Sequence, residues 1–362
     1  MSDAVDFIVN RTDLRQTAFV PGGDTADSDL QAGQVLLHVD RFAFTANNVT
    51  YGAVGDMIGY WNFFPAKEGW GRIPVWGFGD VLRSRQDALP PGERIYGYFP
   101  MSTYLVVQAG HVSATSFVDA APHRAALPPI YNQYIRMAAE PGYDRVQDAH
   151  LALFRPLFTT AFLLDDFLAD NAFFGARAVI LSSASSKTAL GLASLCHARG
   201  QCEVVGLTAR VNKPFVARTG YYDRVFAYDE GPSLEREPAA VFVDFAGNVT
   251  VAGAVHRQLG ERLKYSCSVG VTHWEKMAMA EELPGPPRIL FFAPDQASKR
   301  VDDWGAAVFQ TRVREAMQRF LASTAHWLRI VEGHGQGAVE SVYRAMLDGK
   351  ADPAEGHILT WS

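Results

Sequence analysis

The sequence contains few cysteines, and none of them forms a paired motif. Cys196, Cys202 and Cys267 are odd in number and are nowhere spaced as C-x-x-C. This pattern argues against a disulfide scaffold and a four-cysteine zinc lobe, and it is typical of a reducing compartment. The ten histidines are scattered without the spacing of a ligand set. The sequence therefore predicts ordinary apolar cysteines and no metal site.

Long apolar runs and an excess of basic residues are also missing. The apolar stretches at 161–164 and 288–294 are far shorter than the roughly 20 residues that a membrane-spanning helix needs. Residues 1–10 lack the basic segment and apolar run of a secretory signal. The net charge of -6 predicts no basic surface for nucleic acid. We expect a cytoplasmic protein that binds neither membrane nor nucleic acid and whose partner is a small molecule.

The first 145 residues have the pattern of a β-rich domain. Apolar and polar residues alternate over Gln34–Asp40, as in a half-buried strand. Glycines and prolines are dense between Gly69 and Pro100, which favours short strands joined by tight turns. Residues 1–145 are therefore predicted to form a barrel or a sandwich.

The residues from 146 to 300 alternate between helix and strand, which is typical of a parallel sheet with crossover helices. Helices are predicted at 146–171 and 188–199. Buried strands are predicted at 178–181, 203–207, 225–228, 240–244, 266–270 and 288–292. In the remaining segment, 301–362, we predict a helix over 304–330 and a last strand, 357–361, that returns to the first domain or to the sheet edge.

Three segments follow one another in the order and spacing of a known family. They are Phe44–Tyr51 (FTANNVTY), the glycine-turn pair Pro74–Val81 and Pro91–Gly97, and Ala178–Ala189 (AVILSSASSKTA). With them the chain resembles an uncharacterised branch of the medium-chain dehydrogenase/reductase superfamily, close to the zinc-free quinone and enoyl reductases. The resemblance implies a GroES-like, partly open β-barrel domain followed by a Rossmann-like, doubly wound parallel sheet. It also implies hydride transfer from a nicotinamide cofactor without a metal.

The segment that resembles the dinucleotide loop is poor in glycine. A diphosphate lies against a helix N-terminus because free N–H groups and the helix dipole favour an anion. Here serines occupy the loop, and a lysine stands where a glycine is expected. The predicted cofactor-binding residues of this loop are Ser183, Ser185, Ser186, Lys187 and Thr188. Two alternatives stay open: a degraded phosphate-binding P-loop, and a loop that only caps a helix through Ser185 or Ser186.

The residues after the second predicted strand of this unit indicate the choice of cofactor. An acidic side chain there would bind the ribose hydroxyl of NAD, whereas cations accommodate the 2′-phosphate of NADP. The chain offers Thr208, Arg210 and Lys213 and no carboxylate. This favours NADPH, with the two cations as phosphate partners. The alternative is a solvated helix start.

Further cofactor contacts are expected from a helix and from two strand ends. Thr160 resembles a threonine that approaches the nicotinamide in the superfamily, although a helical threonine can instead bond its own i−4 carbonyl. Phe245, Gly247 and Gly270 follow predicted strands, and ligands bind at the carboxyl ends of strands in open α/β sheets.

The segment that resembles the substrate-facing loop supplies the candidate reacting residues. Tyr51 is predicted to be the proton donor and Asn48 to orient the acceptor, with Tyr60 as the competing donor. The alternative is a turn residue beside a packed ring. The nearby aromatic residues favour a flat, apolar acceptor: an activated double bond, a carbonyl or a quinone.

The sequence also leaves a second class of function open, and a question of assembly. Because the loop is poor in glycine, the chain could be a dinucleotide-binding protein without robust catalysis, acting as a sensor or scaffold. The resemblance also implies that a homodimer could form through the sheet edge of the nucleotide domain.

Overall fold

The protein folds into two compact units. The computed structural model describes residues 4–57, 59–230, 234, 238–269 and 283–361. One unit, the barrel unit, comprises the chain up to Leu153 and from Ile330 onwards, and the other, the sheet unit, comprises Phe154–Arg329. The segment 301–362, which we grouped together from the sequence, is thus divided between the two units.

The described residues form seventeen strands and eight α-helices. In chain order the strands are β1 (Val5–Asn10), β2 (Thr17–Pro21), β3 (Gln34–Phe44), β4 (Trp70–Gly71), β5 (Pro74–Ser84), β6 (Arg94–Pro100), β7 (Tyr104–Gly110), β8 (Ser116–Asp119), β9 (Gln133–Arg136), β10 (Ala178–Leu181), β11 (Glu203–Thr208), β12 (Arg224–Ala227), β13 (Ala240–Asp244), β14 (Leu263–Val269), β15 (Arg288–Phe291), β16 (Arg329–His334) and β17 (Glu355–Thr360). The helices are α1 (Ala46–Ala53), α2 (Asp148–Asp170), α3 (Lys187–Arg199), α4 (Lys213–Arg218), α5 (Val249–Leu259), α6 (Ala293–Trp304), α7 (Ala306–Thr324) and α8 (Gly335–Leu347). No α-helix in the described part of the chain is long and apolar enough to cross a membrane.

The barrel unit is built on an eight-stranded sheet in the order β16-β17-β3-β5-β6-β9-β8-β7. β3 pairs with both β5 and β7, and the second pairing closes six of the strands into a barrel. Irregularities in the β3 register at Leu36/Leu37 and Val39/Arg41 allow this long strand to bend. Gly77 permits the close approach of β5, because a Cβ there would lie 2.2 Å from the Arg41 carbonyl oxygen.

A buried arginine holds the start of α2 against the barrel. Arg94 on β6 donates to Asp148 at 2.5 Å, to Asp40 at 2.6 Å and to Asp80 at 2.9 Å. Burial alone would raise the pKa of Asp40, but the hydrogen bond and charge of Arg94 outweigh it and lower that pKa. The first residues of the long helix α2 are therefore fixed to β3, β5 and β6.

The sheet unit contains six parallel strands in the order β12-β11-β10-β13-β14-β15. Numbered within the unit, this is the 3-2-1-4-5-6 order of a Rossmann fold, in which ligands bind where the strand order reverses. The central strands β10 and β13 are almost wholly apolar and buried, as expected where helices cover a parallel sheet. The predicted fold class, a GroES-like barrel and a Rossmann-like doubly wound sheet, is confirmed.

The C-terminal elements differ in extent from the prediction. The helix expected at 304–330 runs from Ala306 to Thr324, and a separate helix, α6, precedes it. Gly305, with φ of 81°, separates the two helices. The last strand, β17, pairs antiparallel with β3 and so returns to the barrel unit.

Candidate functional site

The loop after β10 makes the sharp turn that a phosphate-binding loop requires. Ser183 has φ of 47°, in the left-handed region that normally favours glycine. Its N–H donates to the hydroxyl of Tyr228 at 2.7 Å. The Ala184 N–H bonds the Leu207 carbonyl at 3.0 Å, and the hydroxyl of Tyr222 donates to the Ala184 carbonyl at 2.8 Å. The loop therefore keeps its bend without glycine because β11 and the two tyrosines that flank β12 hold its backbone.

The serine hydroxyls of the loop have structural partners. Ser186 is the N-cap of α3 and accepts a hydrogen bond from Ala189 N–H at 3.3 Å. Ser185 accepts from Asn212 at 3.1 Å and from the buried Thr208 at 3.4 Å. Lys187 and Thr188 follow as the first helical residues. Of the two serines considered as caps, Ser186 is the one that caps the helix.

A buried carboxylate that the sequence reasoning missed anchors the same loop. The Ser182 hydroxyl donates to Asp244 at 2.6 Å and accepts the Phe245 N–H at 2.8 Å. Asp244 also accepts the Gly247 N–H at 3.2 Å and an Arg288 N–H at 2.7 Å. Two of the predicted strand-end residues, Phe245 and Gly247, are thereby joined to the loop. The available signal was an aspartate that ends an otherwise apolar strand.

The two predicted phosphate partners lie beyond β11 and are paired with acids. Arg210 donates to Asp229 at 2.8 Å, and Lys213 donates to Glu230 at 2.6 Å. The hydrogen bond from Arg210 lowers the pKa of Asp229, and the one from Lys213 lowers the pKa of Glu230. Both acids therefore stay ionised at neutral pH. The sequence reasoning identified the cations but not these counter-ions.

Two other predicted cofactor residues have different outcomes. The Thr160 hydroxyl donates to the carbonyl of Pro156, four residues earlier, at 3.2 Å. This is the alternative that we left open, although a hydroxyl that donates to its own helix can still accept a hydrogen bond. Gly270 lies outside the described residues.

In the barrel unit, Asn48 has a local structural role. Its side-chain oxygen accepts the Thr45 N–H at 2.8 Å and the Thr45 hydroxyl at 3.0 Å, forming a capping box at the start of α1. Its amide donates to the Pro74 carbonyl at 3.0 Å. Its predicted role as an orienter would have to use its remaining amide hydrogen.

Tyr51 and Tyr60 belong to an aromatic cluster. Their rings are 4.5 Å apart between centroids, and the hydroxyls of Tyr60 and Tyr131 are hydrogen-bonded at 3.0 Å. The buried hydroxyl of Tyr98 has no hydrogen-bond partner among the described residues. Burial raises the pKa of Tyr51 and of Tyr60. Both phenols therefore carry their protons at neutral pH, as a proton donor must.

The described residues contain no group of three histidine, cysteine or carboxylate side chains that could hold a metal ion. The three cysteines are unpaired thiols, and two of them, Cys196 and Cys267, are buried. Burial raises the pKa of both buried thiols, so they stay protonated.

Comparison with solved structures identifies proteins that have the same fold as this chain. CurA from Vibrio vulnificus in complex with NADPH has a TM-score of 0.62 at 13% identity. CurK enoyl reductase and a putative NADPH:quinone reductase from Mesorhizobium loti each have a TM-score of 0.61 at 12% identity. All three comparisons cover 99% of both chains. The chain thus has the fold of the medium-chain dehydrogenase/reductase class, as its sequence segments predicted.

Sequence comparison gives the family itself. The protein belongs to the family DUF2855, described as a protein of unknown function, whose profile matches residues 42–352. A search of curated proteins found no match.

Proposed function

We propose that this protein is an NADPH-dependent oxidoreductase that reduces an activated double bond, a carbonyl or a quinone without a metal. The observation that carries the proposal is the loop after β10. It combines a left-handed Ser183 with a capped helix start at the carboxyl edge of a 3-2-1-4-5-6 sheet. That is the geometry at which dinucleotides bind. The likeness to CurA, solved with NADPH, and to an enoyl reductase supports the same class of reaction.

The residues of the loop fit a diphosphate. Small side chains at Ala184 and Ala189 leave the helix start approachable, and both are fully buried. The N–H groups of Lys187 and Thr188 belong to the first turn of α3, where backbone donors and the helix dipole favour an anion. Ser183, Ser185 and Ser186 add hydroxyls around this position.

The ends of the cofactor would be held by separate groups. Arg210 and Lys213, with Thr208 beside them, would bind the 2′-phosphate. Thr160, Phe245 and Gly247 would contact the nicotinamide half. NADPH, when bound, supplies the hydride. The protein's own part is to orient the acceptor and to deliver a proton. We assign the proton to Tyr51, with Tyr60 as the competing donor and Asn48 as the orienter.

Binding of NADPH tests the proposal directly. Titration of the full chain should quench or shift the fluorescence of bound NADPH and raise the melting temperature. Arg210→Ala should raise the dissociation constant for NADPH by about tenfold, because one phosphate-binding cation is lost. The dissociation constant for NADH should change less than twofold. If saturating NADPH and NADH both leave the melting temperature unmoved, the oxidoreductase proposal fails.

A binding protein without robust catalysis is the second candidate. It is favoured by the engagement of Asn48 in the cap of α1 and of Ser185 and Ser186 in local hydrogen bonds. Oxidation of NADPH in the presence of a panel of enones and quinones separates the two. Binding without turnover of any acceptor would favour the sensor or scaffold.

We also propose that the protein is a homodimer joined through β15. This strand lies at the edge of the described sheet, and Ile289, Leu290 and the following Phe292 are 46%, 41% and 50% exposed. An apolar strand at the edge of a sheet is a template for pairing with a second copy.

Light scattering on the full chain should therefore give twice the monomer mass. Leu290→Lys should yield a monomer, because an interface lysine would have to be desolvated. Val308→Lys, at an exposed position of α7, is the matched control and should remain dimeric. A monomeric wild-type protein at micromolar concentration would rule the interface out.

A further inference from the structure

Four charged side chains form a compact cluster beside the carboxyl end of β11. Besides the two short ion pairs of Arg210 with Asp229 and Lys213 with Glu230, a second Arg210 nitrogen lies 3.6 Å from the other oxygen of Glu230. We call these four residues the charge cluster. It contains two positive and two negative charges, so its formal net charge is zero.

The two carboxylates of the charge cluster are positioned by the fold. β11 and β12 are parallel and pair Thr208 with Ala227, so the residues that follow the two strands meet at one edge of the sheet. Glu230 also accepts the N–H of Ala227 at 3.0 Å, which fixes its carboxylate over the end of β12. The fold therefore fixes the two carboxylates beside the two cations.

The charge cluster acts differently on the two nicotinamide cofactors. A phosphate monoester carries a charge of about -1.5 to -2 at neutral pH, whereas the ribose hydroxyl of NADH is uncharged. Arg210 and Lys213 attract the phosphate, but Asp229 and Glu230 repel it and occupy donors that it would use. The carboxylates exert no comparable repulsion on the neutral hydroxyl, which can donate to them.

We propose that Asp229 and Glu230 are specificity-determining residues. They weaken the binding of NADPH and so reduce the difference in affinity between NADPH and NADH. The inference rests on the proposed function and refines its cofactor site. The charges are exposed and act through water, so each carboxylate changes the affinity for the phosphorylated nucleotide only about fivefold.

Calorimetric titration of the folded full chain tests this. The ligands are NADPH, NADH and the fragment pair 2′,5′-ADP and 5′-AMP, which differ only in the 2′-phosphate. Asp229→Asn and Glu230→Gln should each lower the dissociation constants of NADPH and 2′,5′-ADP about fivefold. The dissociation constants of NADH and 5′-AMP should change less than twofold. The matched control is Glu261→Gln, an exposed residue near the amino end of β14, at the opposite edge of the sheet; it should leave all four constants unchanged.

The outcomes separate this inference from the proposed function. The inference would be overturned if the wild type binds NADPH and both variants bind it equally well or more weakly. The carboxylates would then have no effect on the affinity for NADPH, or would help to position the cations for the phosphate. A similar gain in NADPH affinity in Glu261→Gln would show that the effect comes from the net charge of the protein, and this result would also overturn the inference. Failure of the wild type and of every variant to bind any of the four ligands would overturn both proposals.

Discussion

Replacing Asp244 by alanine is expected to lower the free energy of unfolding by about 3–5 kcal/mol, as when one partner of a buried ion pair is removed. The Asp244 side chain is fully buried and accepts hydrogen bonds from the Ser182 hydroxyl, two backbone N–H groups and Arg288. Its loss leaves Arg288, whose side chain is only 9% exposed, without a counter-ion among the described residues. The loop after β10 also loses its anchor.

Thermal unfolding followed by circular dichroism measures the effect, and a fall in melting temperature on the order of 10 °C is expected. Asp244→Asn keeps the shape and should cost less than alanine. Asp303→Ala is the control in the same unit. Asp303 is 42% exposed, and its partners Lys299 and Arg300 each keep another carboxylate, so its loss should have a small fraction of the effect. Equal falls in melting temperature for Asp244→Ala and Asp303→Ala would show that Asp244 contributes no more to stability than a surface carboxylate.

Tyr51→Phe should reduce the turnover number by about a hundredfold with little change in the Michaelis constant, the lower end of the range for loss of a general acid. The phenylalanine ring preserves the contact with Tyr60, so the fold and the binding of NADPH should be unaffected. Tyr104→Phe removes a hydroxyl from another cluster of the barrel unit and should change the turnover number less than twofold. Steady-state kinetics with a reducible enone or quinone measures all three enzymes.

The pH dependence follows from the direction of the shift. Because burial raises the pKa of Tyr51 above its usual value near 10, the donor stays protonated across the neutral and mildly alkaline range. The wild-type rate should therefore show no alkaline loss from this group below about pH 10. A larger loss for Tyr60→Phe than for Tyr51→Phe would assign the proton to Tyr60. A loss below twofold in both would remove the tyrosines from the chemistry.

Local features were predictable because their cause lies within a few residues. The Ser186 cap follows from a serine before a helical run, and the strands β10 and β11 follow from short apolar segments. The capping box of Thr45 and Asn48 was equally local, since a hydroxyl residue three positions before an amide is its pattern. The same residues, Thr45 and Asn48, therefore also indicated a helix cap, in addition to the predicted role of Asn48 as an orienter.

Features that depend on strand register were out of reach. Ser182 meets Asp244 because parallel β10 and β13 pair Leu181 with Val243, which brings the next residue of each strand side by side. Arg210 meets Asp229 for the same reason between β11 and β12. The contact between Tyr60 and Tyr131 joins residues that are 71 positions apart. No pattern along the chain encodes these partners.

The hydrophobic periodicity and the positions of glycine and proline were sufficient to predict two domains and the position of the loop after β10. The burial of alternating or helical apolar faces is a local requirement. The alignment of the strands in space determined which charges face one another at that loop. It also determined whether the serine hydroxyls of the loop are hydrogen-bonded to other residues. Alignment is set by the packing of the whole sheet, so the electrostatic character of the site emerged only once the chain was folded.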